Sequence, residues 1–145
     1  MNPVKLFVDT DKRRSFGGAV DLYQHPERHS GGDYAVGAGA YRNWITALES
    51  GQNVNPHGNW WNSMVWSECR QFAAVFLDEV VAAYPGVETA ARALAADYRA
   101  ISAAIRQVGD KDTVDTSKVA LLQAAAATEA ACAAQLDDLA AQLER

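Results

Sequence analysis

The sequence predicts an all-α fold: an up-down antiparallel bundle of about four helices with an irregular N-terminal segment. Alanine, the residue with the highest helix propensity, makes up about a fifth of the chain and is concentrated after position 73. Apolar residues in this half recur at alternating spacings of three and four, which is typical of helices packed nearly parallel or antiparallel. Short breaks at 85–86 and 109–115 favour antiparallel neighbours.

The chain has 145 residues and a mass of 15.6 kDa, the usual size of one domain, so we expect a single hydrophobic core. Residues 1–36 carry glycine pairs and a proline, and they predict an irregular N-terminal segment with a possible short strand over residues 4–9. Residues 37–145 form the predicted helical bundle.

The first two predicted helices are separated by a polar loop. The first covers 38–50, stops at Gly51, and carries on one face Tyr41, Trp44, Ile45 and Leu48. A polar loop over 52–59 leads into the second, at about 60–84, whose expected buried stripe is Val65, Phe72, Phe76 and Val80.

The third and fourth predicted helices have the cleanest patterns. The third, about 87–108, has the expected seam Val87, Ala91, Leu94, Tyr98, Ile101, Ile105 and Val108. The fourth runs from a cap at 115–117 to about 143, with the expected seam Leu122, Ala125, Glu129, Cys132, Leu136, Leu139 and Leu143. Their many alanines also fit a seam against a second copy of the chain, so a homodimer is one expectation.

The net charge and the motifs of the sequence limit which classes of partner and cofactor we expect. A net charge of −5 gives no basic surface for nucleic acid, and no apolar run reaches the roughly 20 residues of a membrane span, so we expect no nucleic acid, no membrane and a cytoplasmic protein. No phosphate-binding or dinucleotide motif occurs, so we expect no cofactor. Metal sites in bundles use Glu-x-x-His pairs, and the three histidines lie in predicted loops, so we expect no metal.

Aromatic residues crowd into the first two predicted helices. Successive helical positions turn by about 100°, so the three tryptophans at 60, 61 and 66 cannot share one face. One reading is a large aromatic core, and the other is an aromatic-walled pocket for a small organic ligand. The candidate ligand-binding residues are Tyr41, Trp44, Asn59, Trp60, Trp61, Asn62, Trp66 and Glu68.

Glu68 shares the predicted inward face of its helix, whereas Arg70 is expected to point elsewhere. A buried carboxylate is costly unless it is paired, so Glu68 is expected to be salt-bridged, to bond an indole N–H, or to contact a ligand. An enzyme with Glu68 as general base and His57 nearby is a further alternative. Glu129 is also a carboxylate on the inward face of its helix, the fourth, so it too is expected to be paired or to contact a ligand.

The residues G37-x-x-A-Y-x-x-W-x-x-x-L48 and G58-N-x-x-N-x-x-x-x-x-E-x-R70 resemble two successive helices in the C-terminal part of the butirosin biosynthesis protein H-like family, which has a papain-like cysteine-peptidase fold. The resemblance covers about residues 37–80. Family members carry the nucleophilic Cys and His in an N-terminal domain, and Cys69 does not occupy the nucleophile's position. The resemblance therefore implies a helical, ligand-binding module separate from the peptidase or acyl-transfer chemistry.

Together these observations predict a non-catalytic bundle that binds a small molecule between its first two helices. The alternatives are a structural protein that homodimerises through the alanine-rich third and fourth helices, and an enzyme that uses Glu68.

Overall fold

The computed structural model describes residues 3–51 and 55–143, with side chains described from residue 14 onward. Five α-helices follow one another in these ranges: α1 (Pro3–Gln24), α2 (Ala38–Ser50), α3 (Pro56–Ala83), α4 (Glu88–Val108) and α5 (Asp115–Leu143), with a 3₁₀ turn at Pro26–Arg28. Helix α4 packs between α3 and α5, and α1 and α2 both pack on α5. The predicted all-α bundle is confirmed.

The prediction of an irregular N-terminal segment was wrong, because α1 occupies most of residues 1–36 and residues 4–9 are helical rather than a strand. Gly17 and Gly18 disfavour a helix by propensity alone. Tertiary packing outweighs that cost, because Phe16 and Val20, one helical turn apart, are buried in the core. The Phe16 ring lies 5.3 Å from the Phe76 ring of α3.

Helix α3 begins one turn earlier than predicted. The side chain of Asn55 accepts a hydrogen bond from the His57 backbone N–H at 3.0 Å, and Pro56 occupies the first turn. An asparagine N-cap followed by proline is a favoured helix start, so the second half of the predicted polar loop is helical. Residues 52–54 of that loop lie outside the described residues.

The core confirms the predicted seams of α4 and α5. Every predicted seam position of α4 is buried, and in α5 all are buried except Glu129, which is partly exposed. In α2 the predicted face is also correct, with Ile45 partly buried. In α5 the background is mostly alanine, and the regular spacing of the larger apolar side chains still identifies the inward face of each of these helices.

The predicted buried stripe of α3 was wrong at two of its four positions. Val65 and Phe72 are exposed, Phe72 by 69%, Phe76 is partly buried, and Val80 is buried. The inward face consists instead of small and polar residues, followed by aliphatic ones: Asn59, Ser63, Ser67, Ala74, Leu77 and Val80.

The small residues of α3 let the helix approach α4 closely. The Ser102 hydroxyl of α4 donates to the Ser67 carbonyl at 2.7 Å. At the end of α4, a Cβ atom added to Gly109 would lie 2.7 Å from the Ser63 Cβ. The α3–α4 interface therefore depends on small volume rather than on apolar bulk.

Helix α5 is long and apolar enough to cross a membrane by length and composition, which the sequence reading did not anticipate. In the bundle it packs on α1, α2 and α4 and carries Glu129 towards the interior. Core helices of soluble proteins pass the same test, so one such helix is weak evidence for a membrane span.

Candidate functional site

Among the depressions in the described part of the bundle, two share Trp66 and Ala40 as walls. The first, here called the central cavity, has a volume of about 410 Å³ and is formed by all five helices and the segment that leads into α2. The second, here called the outer cleft, also measures about 410 Å³ and lies between α2 and the start of α3.

The central cavity combines apolar walls with a few polar groups. Its aliphatic lining includes Leu22, Val36, Ala73, Ala133 and Leu136, and its polar and aromatic lining includes Tyr23, Trp66, Cys69, Arg70, Tyr98 and Glu129. Small-molecule sites typically have this composition and volume, with a few polar groups that fix the orientation of the ligand.

An ion pair between Arg70 of α3 and Glu129 of α5 is the central polar feature. Arg70 Nη2 donates to Glu129 Oε1 at 2.8 Å, and Arg70 Nε donates to Glu129 Oε2 at 3.2 Å. The side chains are only 18% and 13% exposed. Two parallel bonds from the fork of a guanidinium fix both groups in orientation as well as in charge. The expectation that Arg70 points away was therefore wrong.

Three aromatic side chains hold this pair in place. The Tyr41 hydroxyl of α2 donates to Glu129 Oε2 at 2.5 Å. The Trp66 ring lies under the Arg70 guanidinium, 4.9 Å from its carbon, a distance that allows a cation–π interaction. Trp66 in turn packs edge-on against Tyr41 and Trp44, each at 5.3 Å. The pair is thus fixed by contacts from α2, α3 and α5.

The surroundings of the ion pair keep Arg70 and the neighbouring phenols in their protonated forms. Burial, and then the Glu129 carboxylate, raise the pKa of Tyr41 and of Tyr98 well above the ordinary value, and the same two causes raise the pKa of Tyr23. Burial alone would lower the pKa of Arg70, but the Glu129 carboxylate and Tyr41 outweigh it, so the pKa rises. The phenols therefore remain hydrogen-bond donors and Arg70 remains a cation at neutral pH.

Four N–H or O–H donors on residues that line the cavity have no acceptor among the described residues: Arg70 Nη1, the Trp66 indole N–H and the hydroxyls of Tyr23 and Tyr98. In the described part of the chain, the Ser63 Oγ is the sole buried side-chain polar atom without a partner. The four donors therefore reach accessible space, where a bound group can accept from them.

The outer cleft corresponds to the pocket predicted from sequence. Four candidate residues line it: Trp44, Asn59, Asn62 and Trp66. Asn59 is not free to bind, because its Oδ1 accepts from Trp44 Nε1 at 2.9 Å and its Nδ2 donates to the Val108 carbonyl at 2.8 Å. This buried amide joins α2, α3 and the end of α4, so its role is structural.

The other candidates lie elsewhere. Tyr41 is buried behind Trp66 and bonds Glu129 rather than lining the cleft. Trp60 and Trp61 are 43% and 57% exposed, and the His57 ring stacks on Trp60 at 5.6 Å. Their positions are one and two residues past the inward-facing Asn59, which rotates them towards solvent.

Glu68 is exposed, so the prediction that it faces inward was wrong. It does not meet Glu129, whose carboxylate is occupied by Arg70 and Tyr41. Glu68 and His57 are eleven positions apart on α3, or roughly 16 Å along its axis. The structure therefore does not bring together the groups of the general-base alternative.

Comparison with known proteins gives no match. No family model, no curated protein and no solved structure is significantly similar to the chain. The resemblance over residues 37–80 stays a prediction.

Sequence reasoning missed Arg70, Tyr23 and Tyr98 as site residues. A signal for Arg70 is present in α3, where Asn59, Ser63 and Ser67 repeat at every fourth position. Arg70 continues that line three residues after Ser67, on the face that the small residues allow to approach α4 and α5.

Proposed function

We propose that the protein binds a small, partly apolar organic molecule in the central cavity, without transforming it, and that it does so in the cytoplasm. The observation that carries the proposal is the largely buried Arg70–Glu129 pair, which faces a cavity with apolar walls and unpaired donors. Buried ion pairs contribute little to stability compared with apolar packing, so a pair placed beside a cavity is better explained by recognition than by folding.

The charge states favour binding over catalysis. A general base needs a lone pair directed at the substrate, whereas Glu129 accepts hydrogen bonds from Arg70 and Tyr41. The raised pKa values of Tyr23 and Tyr98 keep these phenols protonated near neutral pH, so they are not available as general bases. The groups at the cavity therefore serve to orient a ligand.

A matched pair of alanine-to-leucine substitutions tests which of the two depressions binds the ligand. Ala73 of α3 lines only the central cavity, and Ala47 of α2 lines only the outer cleft. The probe is N-phenyl-1-naphthylamine, an uncharged dye that fluoresces in apolar sites. We expect Ala73→Leu to weaken dye binding at least about tenfold, because the added side chain occupies the cavity, and Ala47→Leu to leave it unchanged.

Two results would contradict the proposal or the placement of its site. Loss of binding in Ala47→Leu alone would move the site to the outer cleft. Absence of dye binding to the wild-type protein, with no organic mass retained in native mass spectrometry, would refute the proposal. Circular dichroism of both variants controls for folding.

A second candidate function, self-association, is favoured by one observation. The solvent side of α3 carries an apolar stripe that consists of Trp61, Val65, Phe72 and Val75, all more than 40% exposed, and the exposed Glu68 lies on the same line between Val65 and Phe72. Exposed apolar patches rimmed by polar residues commonly mark interaction surfaces.

The surface of a homodimer can be located by two substitutions and sedimentation velocity. Phe72→Ser would dissociate a dimer formed through the α3 stripe. Ala127→Glu, at an exposed position of α5, would instead dissociate one formed through the alanine-rich helices. A wild-type protein that stays monomeric at all concentrations would refute this candidate.

A further inference from the structure

We infer that the ligand of the central cavity is an uncharged molecule with a hydrogen-bond-accepting oxygen, such as an amide or ketone carbonyl, that is bound by Arg70 Nη1 and the Tyr98 hydroxyl. The inference rests on the proposed binding function and specifies the chemical class of its ligand.

The two charged side chains that line the cavity already neutralise each other. The cavity holds one cation, Arg70, and one anion, Glu129, and each already faces the other across two hydrogen bonds. A carboxylate ligand would lose its hydration beside a cation that is already neutralised and within the field of Glu129. An ammonium ligand would meet the converse situation. Burying a charge without a free counter-charge is strongly unfavourable, so an uncharged ligand is preferred.

The unpaired hydrogen-bonding groups define the polar part of the ligand. Arg70 Nη1 can only donate, and the pKa of Tyr98 is raised, so its hydroxyl keeps the proton to donate. The guanidinium N–H needs an acceptor from the ligand, and the phenol hydroxyl can donate to the same atom. A carbonyl oxygen has two lone pairs and can take one bond from each residue.

The walls define the rest of the ligand. Aliphatic side chains from α1, α3 and α5, including Leu22, Ala73 and Leu136, surround the space, and the Trp66 and Tyr98 rings border it. Since no other charged side chain lines the cavity among the described residues, the part of the ligand away from the carbonyl must be apolar, and planar rings fit beside the aromatic walls.

Three planar probes of nearly the same shape separate the charge classes. Benzamide is neutral, benzoate is an anion and benzamidinium is a cation at pH 7. Each is titrated against the protein loaded with N-phenyl-1-naphthylamine, and displacement of the dye reports its affinity. We expect benzamide to bind at least about tenfold more tightly than either ion, because only benzamide avoids an unpaired buried charge.

The results distinguish this inference from the proposed function. If the dye binds and benzoate or benzamidinium displaces it best, the inference is wrong while the binding function stands. If the dye binds and benzamide does not displace it up to its solubility limit, the carbonyl assignment is wrong. If the dye does not bind, the proposed function itself fails.

Charge-changing variants provide a sharper test. Glu129→Gln removes the anion but keeps an acceptor for Arg70, so the preference should shift at least about tenfold towards benzoate. Arg70→Gln should shift it similarly towards benzamidinium, and the double variant should restore the preference for benzamide. An unchanged order of affinities in folded single variants would overturn the inference. If a variant does not fold, the three probes on the wild-type protein still decide the question.

Discussion

The guanidinium of Arg70 on α3 and the carboxylate of Glu129 on α5 lie 2.8 Å apart inside the bundle, although 59 positions separate them in the sequence. In every other ion pair among the described residues, at least one of the two side chains is more than a third exposed. Within the described part of the chain, only in this pair are both side chains largely buried. The pair joins the two helices that flank α4 and also borders the cavity. Its contributions to stability and to binding can be measured separately.

Removing one partner of this pair should be costly, whereas removing both should not. Glu129→Leu leaves the Arg70 charge and the Tyr41 hydroxyl without their acceptor, and we expect it to lower the free energy of unfolding by about 3–5 kcal/mol. The double variant Arg70→Met/Glu129→Leu buries no charge and should recover most of that loss. Urea denaturation of the wild type and the two variants measures the effect. Equal losses in both variants would show that the apolar contacts, not the charges, determine the cost.

The orientation of α3 is tested by two substitutions on that helix. Phe72 is 69% exposed and Leu77 is 1% exposed. Phe72→Ala should therefore change the unfolding free energy by no more than about 0.5 kcal/mol. Leu77→Ala should lower it by about 2–5 kcal/mol, because it leaves a cavity in the core. The opposite order in thermal or urea denaturation would restore the inward face that the sequence predicts.

These two residues show why the sequence predicts α4 and α5 better than α3. In α4 and α5 the inward positions are the bulky apolar ones, so hydrophobic periodicity identifies them. In the first half of α3 the bulky Val65 and Phe72 face solvent, whereas asparagine and serine are buried. Asn59 donates to the Val108 carbonyl of α4, and the small serines let α4 approach closely enough for Ser102 to donate to the backbone of α3. A pattern based on hydrophobicity alone cannot detect such an interface.

The same limit applies to α1 and to the site. Gly17 and Gly18 lower the local helix propensity, and only the packing of Phe16 against distant residues outweighs this effect. Sequence periodicity correctly directs Glu129 towards the interior. It does not direct Arg70 there, because the position of Arg70 follows from the serine-lined face of α3.

Gly109 should tolerate no side chain. Its φ of −76° suits any residue, so the constraint is space: an added Cβ would lie 2.7 Å from the Ser63 Cβ. We expect Gly109→Ala to lower the unfolding free energy by about 1–3 kcal/mol through overpacking. Ser63→Gly in the same chain should relieve the contact and recover part of the loss. Differential scanning calorimetry of the single and double variants measures both effects.

Gly17→Ala is the matched control, because nothing lies within 4 Å of its added Cβ and the residue is inside α1. This change should raise the unfolding free energy by about 0.5–1 kcal/mol, since alanine loses less backbone entropy than glycine. A loss of stability at position 17 comparable to that at 109 would show that space at the α3–α4 contact is not the cause.

The two cysteines should differ sharply in reactivity. Both are free, with Cys69 exposed at the central cavity and Cys132 buried in α5. Burial, and then the nearby Asp97 and Glu129 carboxylates, raise the pKa of Cys132 to about 12, so at pH 8 this thiol is both protonated and shielded. Since the thiolate is the reactive form, a thiol-specific reagent at pH 8 should label one cysteine quickly and the second only in denaturant. A Cys69→Ser variant, which should show no labelling in the native state, identifies the fast site. Rapid labelling of Cys132 in that variant would mean that α5 opens readily at the level of the Arg70–Glu129 pair, and the central cavity would then not have a fixed shape.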